Sequence, residues 1–325
     1  MKPTFSVVIP TFNSREFIVE CVQSAIDQSY ADVEVIIDDN TSHDGTIELL
    51  RATFGDHPRL NIFANQEDLN IPHGWNRGMR RGTGKYLLLL HSDNLLHPRY
   101  AEIAVEALEH YSASVAYSEC HYFEGQTPPA VFDPKASLQK TPHAFLSGGA
   151  RAVDYVFRYQ RMIPTSGLTI RRSCLETRAP FDPEFRWDPD IELMTWLARN
   201  FGVVHLETPL AAIRSHGGQV ASWKNSAFST QYKKLLSLAN EEGQSEKHHF
   251  LVNWAWSNQD ICQKLSQVPQ VPAKSYFYYL LRWLKAESEL LGHFANCYLR
   301  KLSLMARFSL NWAGNYLAFK RSEVN

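Results

Sequence analysis

No window of this 325-residue chain approaches the roughly eighteen uninterrupted apolar residues that a membrane-spanning helix requires. Only a few residues separate Met1 from the first apolar run at Phe5, which leaves no room for a secretory leader. The chain is therefore expected in the cytoplasm, free or against the inner face of the cell membrane. Cysteine is scarce: Cys21, Cys120, Cys174, Cys262 and Cys297 are scattered without Cys-x-x-Cys spacing, as free thiols in a reducing compartment would be. Thirteen histidines include no His-Glu-x-x-His pair. A formal net charge of −1 offers no basic excess, so nucleic acid is not an expected partner. No Gly-x-Gly-x-x-Gly follows the first apolar run, against a dinucleotide oxidoreductase. Gly82-Thr83-Gly84-Lys85 is a poor phosphate loop, because Tyr86 replaces the needed hydroxyl residue and the segment precedes a strand.

What is present is enough apolar sequence, 44%, to build a packed core. The first hundred residues alternate short β-branched or apolar runs with helix-like stretches, the pattern of a mostly parallel sheet flanked by helices. Strands are predicted at Phe5–Ile9, Val33–Ile37, Leu60–Ala64, Tyr86–Leu90 and Val115–Tyr117, and later at Ser166–Arg171 and Val203–Leu206. Helices are predicted over Glu16–Gln28, from Thr46, from Pro98 and over Asp190–Asn200. Residues 124–150, rich in Pro, Gly, Ser and Thr, read as a long loop or lid. Beyond about residue 222 strand signals stop and helical periodicity dominates. The boundaries expected are an α/β domain over 1–221 and a helical extension over 222–325.

Ligands of open parallel sheets bind where strands end, because loops and helix amino termini converge there. Three predicted strands end in suitable residues: Pro10, Thr11, Phe12 and Asn13 after the first, Asp38, Asp39 and Asn40 after the second, and Ser92, Asp93 and Asn94 after the fourth. Each cluster alone is ordinary turn chemistry. Together they offer an aromatic face for a base, a carboxylate for a base or ribose, and a carboxylate that could hold a divalent ion against a diphosphate.

In that order, VVIPTFN (7–13), EVIIDDNTSHDGT (34–46), Asn76-Arg77-Gly78 and GKYLLLLHSDN (84–94) resemble successive motifs of the family 2 glycosyltransferases. SGLTIRRS (166–173), FDPEF (181–185), WDPDIELMTWLAR (187–199) and IRSHGGQVAS (213–222) resemble the family's later landmarks. The resemblance covers residues 4–222 and implies a GT-A fold, Rossmann-like, followed by the helical extension. It implies an inverting hexosyl-type transfer from a nucleotide-diphospho-sugar, UDP by family habit, to a glycan or lipid-linked acceptor in polysaccharide or glycolipid synthesis. It puts Pro10, Thr11, Phe12, Asn13, Asp39, Asn76, Ser92 and Asp93 at the donor, with Phe12 beside the base and Asp39 on base or ribose. Asp190 matches the general base, and Asp93 and His216 match residues that meet the divalent ion, Mn²⁺ or Mg²⁺, or the diphosphate. His91 stands where the family has the first Asp of Asp-x-Asp; it is either a third ligand, better suited to Mn²⁺ than to Mg²⁺, or a pocket wall. Asp188 is the rival base. The His91 departure also leaves open a non-catalytic protein that binds nucleotide-sugar or glycan on the same fold.

The tail is basic, with eight Lys/Arg against three Asp/Glu over residues 273–325. Leu299, Leu302, Met305, Phe308, Trp312, Tyr316 and Phe319 recur at helical spacing. Residues 275–321 therefore fit either an anionic membrane interface or packing against the catalytic domain or a second subunit.

Overall fold

The computed structural model describes residues 4–126, 132–133, 135–141, 143–149, 152, 165–184 and 189–216. The expected helical extension, with its apolar stripe, and Asp188 lie outside these residues. In chain order the elements are β1 (Phe5–Thr11), α1 (Ile18–Ile26), β2 (Val33–Asp39), α2 (Thr46–Phe54), β3 (Leu60–Ala64), α3 (Ile71–Arg81) and β4 (Tyr86–Leu89). They continue with β5 (Leu95–Leu96), α4 (Tyr100–His110), β6 (Val115–Glu124), β7 (His143–Leu146), β8 (Leu168–Arg171), α5 (Pro189–Asn200) and β9 (Val203–Ser215). No helix among the described residues is long and apolar enough to cross a membrane.

One sheet runs in the order β3-β2-β1-β4-β8-β6-β9-β5, with β7 also paired to β9. Its first four strands are parallel, as expected for strands joined by helical crossovers. Beyond β4 the sheet is mixed: β8 is antiparallel to both β4 and β6, β6 and β9 are parallel, and β5 and β7 run antiparallel to β9. The chain moves outward from β1 to β3 and then returns to β4 on the other side of β1. That reversal makes the β1/β4 boundary the topological switch point, where a crevice opens beyond the strand ends.

The central strands are buried on both faces, which is why they read as nearly continuous apolar runs. Phe5, Val7 and Ile9 of β1, with Tyr86 and Leu88 of β4, face the core under α1, α2 and α4. Val8, Leu87 and Leu89 face the opposite core, closed by Met79 of α3 and by Leu193, Met194 and Leu197 of α5.

The structure departs from the sequence reading in helix α3, in strand length and in the loop over 124–150. Helix α3 was not expected, because Gly74 and Gly78 depress helix propensity and hide its period. Gly78 is there for contact: a Cβ would lie 2.9 Å from Val8 Cγ1 and 3.1 Å from Asp38 Cβ, so the helix backbone sits directly on β1 and β2. The second departure is strand length. The strand expected over Val203–Leu206 continues through Pro209 to Ser215, and it pairs with a β6 that runs to Glu124. Register shifts around Glu119, which lies opposite Pro209, absorb the proline and keep the two strands paired. Part of the expected loop over 124–150 is also strand, since β7 pairs along the start of β9.

Candidate active site

The ends of β1, β2 and β4 are fastened to one another by side chains. Thr11 and Asp39 are register partners, and the Asn40 N–H donates to the Thr11 carbonyl at 2.7 Å. Phe12 then turns outward with 52% of its surface exposed. Asn13 takes a left-handed backbone (φ 48°), donates its N–H to Ser42 Oγ at 2.8 Å and accepts from the His43 N–H at 2.9 Å. Ser42 donates its hydroxyl (2.5 Å) and its N–H (3.0 Å) to the two oxygens of Asp39. On the other side the Ser14 and Ser92 hydroxyls meet at 2.7 Å, joining the β1 loop to the β4 loop.

The adjacent acids Asp38 and Asp39 point to opposite faces of β2, as alternate strand residues must. Asp38 is buried against α3 and forms ion pairs with Arg77 (2.8 Å) and Arg81 (2.5 Å), with Asn65 Nδ2 donating at 3.1 Å. Burial pushes its carboxyl up while the two guanidiniums pull it back. Removing it strands two cations beside the core, so Asp38→Ala is expected to cost about 3 kcal/mol or more in urea unfolding. Asp39→Asn, which keeps an acceptor for Ser42, should change stability far less.

Beyond β4, Asp93 Oδ2 and His216 Nε2 lie 3.1 Å apart, both partly exposed, and the His216 ring packs on Phe17 at 4.7 Å. His91 does not join them. Its Nε2 engages the Thr165 hydroxyl at 2.8 Å and its ring lies against Trp75 at 5.1 Å. Among the described residues no three His, Cys, Asp or Glu side chains are grouped to hold an ion; of the three residues considered for metal, Asp93 and His216 lie together. Asn94 is a brace: its amide donates to Ser166 Oγ at 3.0 Å and accepts from the Arg214 N–H at 3.0 Å.

Two residues expected at the donor are turned inward. The Thr11 side chain is buried and its hydroxyl donates to the Ile9 carbonyl at 3.1 Å. Asn76, also buried, donates to the Phe181 carbonyl (2.6 Å) and accepts from the Phe181 N–H (2.9 Å). It clamps the FDPEF segment onto α3, and Trp75 adds an edge contact with the Phe181 ring at 5.0 Å. Nothing in the local sequence signals that clamp, because its partner is 105 residues away.

Asp190 lies in the first turn of α5, where the helix amino end favours negative charge. Glu192, also in that turn, is committed to a bidentate pair with Arg178 (2.7 Å for each contact), whose guanidinium lies over Trp196.

A half-parallel sheet with a switch point at β1/β4 and acidic strand ends around it fits the GT-A fold. Solved structures agree on the fold. TarS of S. aureus (residues 1–349, in complex with UDP) superposes with a TM-score of 0.56 at 16% identity, covering 77% of this chain and 69% of that one. The mannosyltransferase PcManGT of Pyrobaculum calidifontis, in complex with GDP-Man and Mn²⁺, gives 0.53 at 15% identity over 87% and 81%. Residues 6–164, just under half of the chain, match the model of Glycosyl transferase family 2. It is similar to chondroitin synthase of Escherichia coli, 36% identical over 104 residues, which are 32% of this chain and 15% of that enzyme's length.

Proposed function

We propose that this protein is an inverting glycosyltransferase of surface polysaccharide or glycolipid synthesis, taking a sugar from a nucleotide-diphospho-sugar, a UDP-sugar in first place. The observation that carries this reading is the Asp93–His216 pair beside the switch point, with exposed Phe12 and buried Asp39 at the neighbouring strand ends. The donor nucleotides bound by TarS and PcManGT support the diphosphonucleotide class. Phe12 takes the base on its exposed face, and Asp39, oriented by Ser42, accepts from base or ribose. Asp190 accepts the proton of the attacking hydroxyl, and the acceptor attacks opposite the departing diphosphate, which inverts the anomeric centre. Asp93 and His216 offer a carboxylate oxygen and an imidazole nitrogen, a donor set that fits a divalent ion and suits Mn²⁺ better than Mg²⁺. Such an ion, when bound, neutralises charge on the leaving diphosphate. The acceptor hydroxyl belongs to a glycan or a lipid-linked glycan; the basic, apolar-striped tail supports the second by suiting an anionic membrane surface.

The test is a binding and hydrolysis screen of nucleotide-sugars on the full chain, with and without Mn²⁺ and Mg²⁺. A UDP-sugar should bind and be slowly hydrolysed, with Mn²⁺ more effective than Mg²⁺. Binding without turnover on any acceptor or water would make the protein a non-catalytic binder, and no binding would end the reading. Because His91 is held by Thr165 and Trp75, His91→Asp is expected to leave the Mn²⁺/Mg²⁺ preference unchanged. A shift towards Mg²⁺ would return residue 91 to the ligand set.

A further inference from the structure

Arg214 is the largest fully buried side chain among the described residues, and it lies two positions before His216 on β9. Its Nε donates to the Asp93 carbonyl at 3.1 Å, Nη1 to the Gly125 carbonyl, and Nη2 to the Glu20 carboxylate at 2.6 Å. The guanidinium lies over the Phe17 ring (4.5 Å) and over the Phe123 ring (4.8 Å), and the backbone N–H is bound by Asn94. One residue thus ties the end of β9 to the β4 loop by main chain and side chain, to the end of β6, and to α1. Phe17, the ring that Arg214 covers, is also the ring on which His216 packs. Both members of the Asp93–His216 pair are consequently set by the same guanidinium, one through its carbonyl and the other through the strand and Phe17.

Burying a guanidinium is costly unless its donors are met, and an apolar replacement often serves stability as well or better. What the planar fork adds is direction, since it holds three acceptors from three elements at fixed angles, which a lysine ammonium does not reproduce. We propose that Arg214 is a positioning residue that fixes Asp93 and His216 against each other, with Glu20 as its anionic anchor, and does not itself touch the ligand. The inference rests on the reading of that pair as the diphosphate and metal site.

The experiment uses full-length protein with ¹⁵N-labelled histidine, in which the His216 imidazole signals are identified by their loss in His216→Gln. In Arg214→Lys those signals should move or broaden while the other assigned imidazoles stay in place. Mn²⁺ affinity in the presence of UDP, read by electron paramagnetic resonance, should fall at least about tenfold, with UDP affinity without metal within about twofold of wild type. Glu20→Gln, altered at a half-exposed position, should produce a smaller change of the same kind. A folded Arg214→Lys with wild-type His216 signals and Mn²⁺ affinity overturns the proposal. Should Arg214→Lys not fold, unchanged values in Glu20→Gln overturn it instead. If the wild-type protein binds no Mn²⁺, the metal part of the proposed function fails, and the imidazole signals alone decide the role of Arg214.

Discussion

Asp190→Asn is expected to lower kcat by at least about a hundredfold, the scale of losing a general base, with donor affinity retained. The amide keeps the shape of the side chain and its place in the first turn of α5, but it cannot accept a proton from the acceptor hydroxyl. The neighbouring acid cannot substitute: Glu192 is held by both arms of Arg178 and is buried. The measurement is steady-state transfer with the best donor found in the screen, alongside calorimetric titration of UDP. A proportional loss of donor affinity would place Asp190 in donor binding and not in proton transfer. If Asp188→Asn produces the rate loss and Asp190→Asn does not, the base lies two residues earlier.

Asp93→Ala should reduce transfer by about a thousandfold, comparable to removing a preorganised electrostatic stabiliser of the leaving group. Metal-dependent donor binding should disappear with it. Thermal stability should remain close to wild type, because the Asp93 carboxylate is partly exposed and because Arg214 holds the main-chain carbonyl, which the substitution keeps. Measuring Tm with turnover separates this outcome from simple unfolding. A folded Asp93→Ala enzyme with wild-type turnover would remove the Asp93–His216 pair from the site, and the further role of Arg214 with it.

Much of this arrangement is legible in the sequence, for local reasons. FSVVI, VEVII and YLLLL are strands because β-branched and aliphatic runs of that length are buried on both faces of a parallel sheet, and they are bounded by polar residues that must leave it. The same locality makes Phe12, Asp39 and Asp93 readable as strand-end residues. Helix α3 escaped because its glycines serve contact with β1 and β2 at the cost of propensity. The full length of β9 escaped because Pro209 is accommodated only by a bulge in β9 where it pairs with β6.

The sequence by itself determined which residues stand at the ends of β1, β2 and β4, since alternation, burial and turn chemistry act over a few residues. Tertiary structure alone decided what those residues meet. It turned Asp38 to Arg77 and Arg81 while Asp39 took Ser42, closed the Asn76 amide on Phe181, and gave His91 to Thr165. It also brought His216 to Asp93 across 123 positions and set Arg214 beneath them. Such contacts depend on the order in which the strands cross over and on the register of the β6–β9 pair, and no local pattern of residues encodes either.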